Sequence, residues 1–398
     1  MTDYPSPRSS PYSVRRRESL RERALDRDSP LRRLDWILML AVALLCTFGA
    51  LLVWGATKPQ QLTAGLDPNA YLKKDLLNVC IGVGLGSVAG LVDYRTIRAY
   101  APVVYAASLL GLIVVLVHGQ TINGSHSWIH LPAGFEVQPS EFAKIALIVL
   151  LAMVLGERRD QAVAPDNRDV WWALGLTAPP VLLVLLQPDV GTVMVVAVVV
   201  FGMVALSGVS ARWIIGILAA AAIGVLVVMH LHLLQQYQID RLTNFTNPRK
   251  DTQGFGYNTH QARIAIGSGG WFGKGLFHGT QTNGQFVPEQ ETDFVFTVAG
   301  EELGLLGAGL IVALVGVVLW RGLSIASRAE DPFGTLVAVG VVCWFGFQAF
   351  ENIGMTVGIM PVTGLPLPFV SYGGSSMFAN MLAVGLLQNV YIRSRPDF

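Results

Sequence analysis

Residues 171–206 read WWALGLTAPPVLLVLLQPDVGTVMVVAVVVFGMVAL, and Asp189 is the one charged residue among them. Two apolar runs, 171–186 and 190–206, are separated only by Gln187-Pro188-Asp189. A helix cannot easily continue through that proline, so the spacing predicts a tight turn at a membrane surface between two crossing helices. Eight further apolar runs follow the same pattern: 34–55, 76–92, 102–117, 142–156, 211–229, 294–319, 335–354 and 377–391. Several fall short of the ~20 residues that a perpendicular span requires, and buried polar flanks would supply the rest. The reading is an all-α integral membrane protein with about ten transmembrane helices.

Composition agrees. Of 398 residues, 52% are apolar and 14% charged, the latter about half the usual share for a soluble domain. Cys46, Cys80 and Cys343 lie inside apolar runs and read as small buried hydrophobes. Residues 1–33 form a polar, Arg-, Pro- and Ser-rich arm that reads as disordered and has no secretory apolar core. Residues 34–395 then form one transmembrane unit.

Arginine orients the chain. With the arm in the cytoplasm, every short inside loop carries arginine: Arg95, Arg98, Arg158, Arg159, Arg168, Arg212, Arg321, Arg328, Arg393 and Arg395. The short outside loops hold only Lys58, Lys73, Lys74 and, at a span mouth, Lys144. Both termini are therefore expected in the cytoplasm. Two outside segments stand apart. Residues 230–293 are long for a loop yet rich in aromatics, which predicts an ordered extracytoplasmic loop with short surface helices between the seventh and eighth spans. Residues 360–376 are too rich in Pro and Gly for a helix and too apolar for an open loop. Such backbone at membrane depth must be buried in protein or line a wet cavity.

Charges within apolar spans cost free energy and are functional candidates. Glu141 and Lys144 open the fourth span, three residues apart on one helix face; a structural ion pair is the alternative. Asp189 follows Gln187-Pro188 and would also serve as a helix N-cap. Asp293 stands before Phe294-Val295-Phe296, where the long outer loop meets the membrane. Glu301 and Glu302 lie further down that helix, and Glu351 in the ninth span has no evident role. Other signals carry little. Gly84-Leu85-Gly86-Ser87-Val88-Ala89 matches a dinucleotide fingerprint but lies within a span with no preceding strand, so it reads as helix-packing glycine. His126 and His130 are four apart, but Gly124 and Pro132 argue against the helix that would pair them on a metal. The basic residues follow membrane topology and indicate no nucleic-acid partner.

Read in order, Ile122-Asn123-Gly124, Trp128-Ile129 and Gln138-Pro139-Ser140-Glu141-Phe142-Ala143-Lys144 resemble the SEDS (shape, elongation, division and sporulation) family. So do Gln187-Pro188-Asp189-Val190-Gly191-Thr192, Ala265-Ile266-Gly267-Ser268-Gly269-Gly270, Thr292-Asp293-Phe294-Val295-Phe296 with Glu301-Glu302, and Asn352-Ile353-Gly354-Met355 through Ser371-Tyr372-Gly373-Gly374-Ser375. Pro361-Val362-Thr363-Gly364-Leu365-Pro366-Leu367-Pro368-Phe369 looks like the elongation branch, RodA; the division paralogue usually lacks the proline matching Pro366. Asn258, where the family often has Gln, and His126-Ser127, where it often has a basic residue, are small departures.

The resemblance implies a ten-helix fold and glycan-strand polymerisation from lipid II on the outer face of the bacterial inner membrane. It implies a class B penicillin-binding protein and other elongation-complex membrane proteins as partners, and a divalent cation, Mg or Mn, with no ligand set evident. The family's catalytic aspartate maps onto Asp293. Chemistry assigns Asp293 as base to the acceptor hydroxyl, Lys144 to the pyrophosphate and Glu141 to holding Lys144. Arg241, Arg263 and Lys274 are further phosphate candidates, and Asp189, Gln138, Tyr257, Gln261, Glu302, Ser371 and Tyr372 are expected at the substrate. A lipid-linked-sugar flippase and a non-catalytic scaffold for the penicillin-binding protein are the competing readings.

The arginine asymmetry makes a topological prediction. Cysteines introduced at Thr252 and Asp166 should label oppositely with a membrane-impermeant thiol reagent in spheroplasts, position 252 from outside. Labelling of position 166 alone, or of both, would reverse the orientation.

Overall fold

A computed structural model describes residues 33–122, 125–131, 135–157, 164–230 and 255–394; the basic arm before residue 33 and Arg241 lie outside it. Every expected span falls on a helix. These are α1 (Trp36–Thr63), α2 (Ala70–Leu91), α3 (Tyr94–His118), α4 (Pro139–Gly156), α5 (Asn167–Leu186), α6 (Val190–Leu206) and α7 (Ala211–His230). After α8 (Phe255–Ser268) and the single turn α9 (Thr280–Asn283) come α10 (Val295–Glu302), α11 (Gly304–Arg328), α12 (Pro332–Val357) and α13 (Gly374–Arg393). Among the described residues, seven helices are long and apolar enough to cross a membrane, while α6 and the apolar part of α7 are shorter. The protein is a mainly helical, multi-pass membrane protein.

Two features depart from the expectation. The eighth span is broken at Gly304, whose φ of +67° turns the chain between α10 and α11. The segment after α3 is not loop but three antiparallel strands, β1 (Gln120–Ile122), β2 (Ser125–Leu131) and β3 (Phe135–Val137). His130 and Glu136 face each other across β2 and β3, with His130 Nε2 3.0 Å from Glu136 Oε1. The turn at Gln187-Pro188-Asp189 forms as expected, with the Asp189 carboxylate accepting from Thr192 N at the start of α6.

Burial separates the helices. Helices α4 and α12 are mostly enclosed, whereas only 17% of the α2 span and 22% of the α3 span are buried within the protein. Leu76, Leu77, Ile81, Val83 and Val88 on α2 are exposed, as residues facing lipid tails would be. Helix α2 packs on α13 through glycine. A Cβ at Gly385 would lie 2.2 Å from the Gly86 carbonyl oxygen, and one at Gly86 would lie 2.5 Å from the Met381 carbonyl oxygen. The dinucleotide-like string is thus a packing seam at Gly86, while Gly84 faces open space.

At one end of the bundle, Asp35 caps α1 and is 2% exposed. Its carboxylate takes Arg321 Nε at 2.8 Å and Nη2 at 2.5 Å from α11. Gln388 of α13 closes the group, accepting from Asp35 N at 2.9 Å and donating to Asp35 O at 3.1 Å. Three helices are tied at one buried aspartate, through its carboxylate and its backbone. Arg321→Met leaves that charge uncompensated and should cost about 3–5 kcal/mol, read as a lowered melting temperature in detergent. Adding Asp35→Asn should recover most of the loss; a single variant as stable as the parent would show the clamp to be dispensable.

Candidate functional site

The opposite end gathers several of the strings singled out in the sequence. Proline opens α4, where its missing N–H is not needed. Just before it, Gln138 N donates to Ser375 Oγ at 2.9 Å, and Ser375 Oγ donates to the Glu136 carbonyl at 2.8 Å. The Gln138 side chain reaches Asp189 Oδ2 at 3.2 Å. Thr192 holds the same carboxylate through its N–H and hydroxyl at 3.0 and 2.8 Å. Asp189 is therefore an N-cap that also binds Gln138, and two expected site residues from different helices meet.

Glu141 and Lys144 are both 2% exposed and pair at 2.7 Å. Lys144 does not open at a span mouth, as the sequence suggested. Its ammonium also donates to Gln348 Oε1 at 3.1 Å and lies 4.5 Å from the Trp344 ring centroid. Gln348 Oε1 accepts Trp344 Nε1 at 2.7 Å as well, and Gln348 Nε2 donates to the Pro366 carbonyl at 2.8 Å. The charge is enclosed by an aromatic face, a carboxylate and an amide, which together offset much of its desolvation.

Asp293 ends the turn that leads into α10 and is half-buried. Its N–H donates to the Glu289 carbonyl at 3.1 Å, and its carbonyl accepts from Asn352 Nδ2 at 2.8 Å. Its carboxylate lies against Gly364, where an added Cβ would stand 3.2 Å from Oδ2. Gly364 has φ +79°, so both conformation and space call for glycine there. Burial, helped by the neighbouring Glu289 charge, raises the Glu291 carboxyl above the usual carboxylate range. The Glu291 carbonyl accepts Tyr372 N at 2.9 Å, and the Tyr372 ring sits 5.2 Å from that of Tyr71. The Pro-rich 360–376 segment thus docks beside Asp293. Ser371 is buried and supports its turn, accepting from Leu367 N at 2.8 Å.

The described part of the long loop, residues 255–293, is organised by two carboxylates. Glu301, fully buried, accepts Lys274 Nζ at 2.7 Å, Gln281 N at 2.9 Å, and Thr282 N and Oγ1 at 2.8 Å each. Glu302 accepts Phe277 N at 3.1 Å. Lys58 lies over the Trp54 and Phe277 rings, 4.9 and 4.3 Å from their centroids, and pins the loop to α1. Phe277, Gln285 and Glu289 all have positive φ, a concentration of backbone strain that such docking must hold. Two expected phosphate ligands are therefore otherwise engaged. Lys274 pairs with Glu301, and Arg263 donates to the Val357 and Gly358 carbonyls at 2.9 Å each, capping α12. Glu302 shapes the loop from within. Tyr257 and Gln261 are half-buried one turn apart on α8.

Among the described residues no three His, Cys, Asp or Glu side chains gather as a metal site. Sequence reading passed over Glu301 as a site member and overlooked Gln348. The available signal was polar residues one helical turn apart, Gln348 and Asn352, inside an apolar span.

Residues 35–395 match the family described as cell cycle protein, FtsW/RodA/SpoVE. The chain is 38% identical over 365 residues to stage V sporulation protein E of Bacillus subtilis, covering 91% of this chain and 98% of that one. It is 36% identical over 358 residues to the peptidoglycan glycosyltransferase MrdB of Escherichia coli K12, covering 90% and 93%. Its fold is similar to the rod shape determining protein RodA of Thermus thermophilus, with TM-score 0.66 and 30% identity over 92% of this chain and 98% of that one. It is also similar to a chain from a peptidoglycan synthase complex that coordinates polymerization and crosslinking, with TM-score 0.76 and 31% identity over 92% and 99%. The sequence strings, the helical bundle and these matches agree: the chain belongs to the FtsW/RodA/SpoVE family of membrane proteins, the SEDS family.

Proposed function

We propose that this chain is a peptidoglycan glycosyltransferase that polymerises lipid II during cell elongation, on the outer face of the inner membrane. The relatives named peptidoglycan glycosyltransferase support the reaction class. The Pro366-containing string supports the elongation branch. The likeness to a complex that couples polymerization to crosslinking supports a class B penicillin-binding protein as partner.

One observation carries the mechanism. Asp293 is a half-buried carboxylate whose backbone is held at both N–H and C=O, at the junction of the outer loop and the bundle. In the reaction, an acceptor sugar hydroxyl attacks the anomeric carbon of the donor, the new C–O bond forms with inversion, and the bond to undecaprenyl pyrophosphate breaks. The hydroxyl proton becomes acidic as the bond forms, so a carboxylate suffices as base. Asp293 takes that proton. The departing pyrophosphate needs positive charge. Of the expected phosphate ligands described here, Lys144 is enclosed, Lys274 is paired and Arg263 caps α12, so none of them is assigned to it. The Glu141–Lys144 pair supports the site from beneath, and Gln138, Asp189, Tyr257, Gln261 and Tyr372 shape the sugar-binding surroundings.

Asp293→Asn keeps the size of the side chain and removes the basic oxygen. Glycan polymer from purified protein, partner and lipid II, read on a gel, should fall by ~10²–10⁴, while partner co-purification and lipid II binding persist. A flippase would form no polymer in either version. A scaffold would tolerate the substitution in cells. Near-parental polymerisation by well-folded Asp293→Asn protein would overturn the assignment.

A further inference from the structure

The segment 359–373 contains Pro361, Pro366 and Pro368. Prolines supply no N–H and the segment forms no helix or strand, so its buried carbonyls need donors from elsewhere. Helix α12 provides them. Asn352 and Gln348 are both 0% exposed and lie one helical turn apart. Gln348 Nε2 donates to the Pro366 carbonyl at 2.8 Å, and Asn352 Nδ2 donates to the preceding carbonyl, Leu365, at 2.7 Å. The same Asn352 nitrogen donates to the Asp293 carbonyl at 2.8 Å.

The orientation of both amides follows from their partners. Gln348 Oε1 receives two donors, Lys144 Nζ and Trp344 Nε1, so its nitrogen must face Pro366. Asn352 Nδ2 faces two carbonyls, which only a donor can do. Its Oδ1 is buried and accepts no hydrogen bond from the described residues, so this side chain contributes through its donors.

We infer that Asn352 and Gln348 are positioning residues that set where the Asp293 carboxylate stands. Asn352 joins Asp293 to Leu365 through one nitrogen, and at Gly364, next to Leu365, an added Cβ would stand 3.2 Å from Asp293 Oδ2, so the carboxylate lies beside this stretch of backbone. The distance between the carboxylate and the Pro-rich wall therefore depends on this amide. Gln348 holds the next carbonyl along and is itself held by Lys144, which Glu141 neutralises. The buried ion pair thus acts through Gln348 on the wall of the site. The inference rests on Asp293 being the base.

A double-mutant cycle on polymerisation rate separates positioning from a general loss of fold. Asp293→Glu displaces the carboxylate by about 1 Å, and misplacement of that order can cost ~10². Asn352→Leu removes the donors at similar volume and should slow polymerisation ~10-fold or more. If Asn352 positions Asp293, the double variant should be no more than about threefold slower than the slower single, because the position is already lost. A variant that merely lowers the folded fraction would instead multiply with Asp293→Glu. Multiplying effects, a near-parental Asn352→Leu enzyme, or a near-parental Asp293→Glu enzyme would each overturn the inference. Should Asn352→Leu fail to purify as a folded protein, the same cycle with Gln348→Met decides by the same criterion. An active Asp293→Asn enzyme overturns the base assignment and this inference with it; an inactive Asp293→Asn enzyme with a multiplying cycle overturns the positioning alone.

Discussion

A lysine ammonium enclosed in an apolar bundle is the constraint around which this structure is arranged. Lys144 cannot reach water from where it sits, so everything near it must answer its charge. Glu141 neutralises it, Trp344 presents an aromatic face and Gln348 turns its oxygen toward it. Gln348 then has only its nitrogen left to give, and that nitrogen holds the Pro366 carbonyl. An irregular, proline-rich segment becomes part of a helical bundle because a buried charge dictates the orientation of an amide. The backbone is satisfied without regular structure, as lipid surroundings demand.

The loop before Asp293 follows the same logic with the sign reversed. Glu301 is a buried acceptor, and the residues around it bring donors: backbone N–H groups of the α9 turn, the Thr282 hydroxyl and the Lys274 ammonium. The helix that begins just after Asp293 therefore ends at the carboxylates that organise the loop leading to Asp293. Left-handed residues at Phe277, Gln285 and Glu289 persist because this docking over-determines them. At the far end of the bundle, Asp35 with Arg321 and Gln388 closes three helices by the same means. Polar groups tie the helices at these points, around a large buried apolar core.

Two kinds of residue sit near the site. Gln138, Asp189 and Asp293 join segments and stay partly open. Lys144, Glu301, Gln348 and Asn352 are fully enclosed and touch only the groups they hold. A charge in a membrane span is a sound pointer to a functional region, but not to direct contact with substrate. Lys274 and Arg263 make the same point in the outer loop, where one neutralises a carboxylate and the other caps a helix.

Apolar runs and arginine placement determine on their own that the chain is a multi-pass helical membrane protein, because span length and charge exclusion are local properties of the segment. The turn at Gln187-Pro188-Asp189, the N-cap at Asp189 and the pairing of Glu141 with Lys144 were legible too, since each lies within four residues along the chain. The three-stranded sheet at Gln120–Val137 was overlooked, although Asn123-Gly124 between its first two strands is a hairpin signature in the sequence. Only the tertiary structure decided that Lys144 is enclosed and that Glu302 supports the loop from within. It alone showed that Asn352 ties Asp293 to Leu365. Those outcomes depend on which helix faces which, and a buried polar side chain takes its role from partners 13 and 59 residues distant.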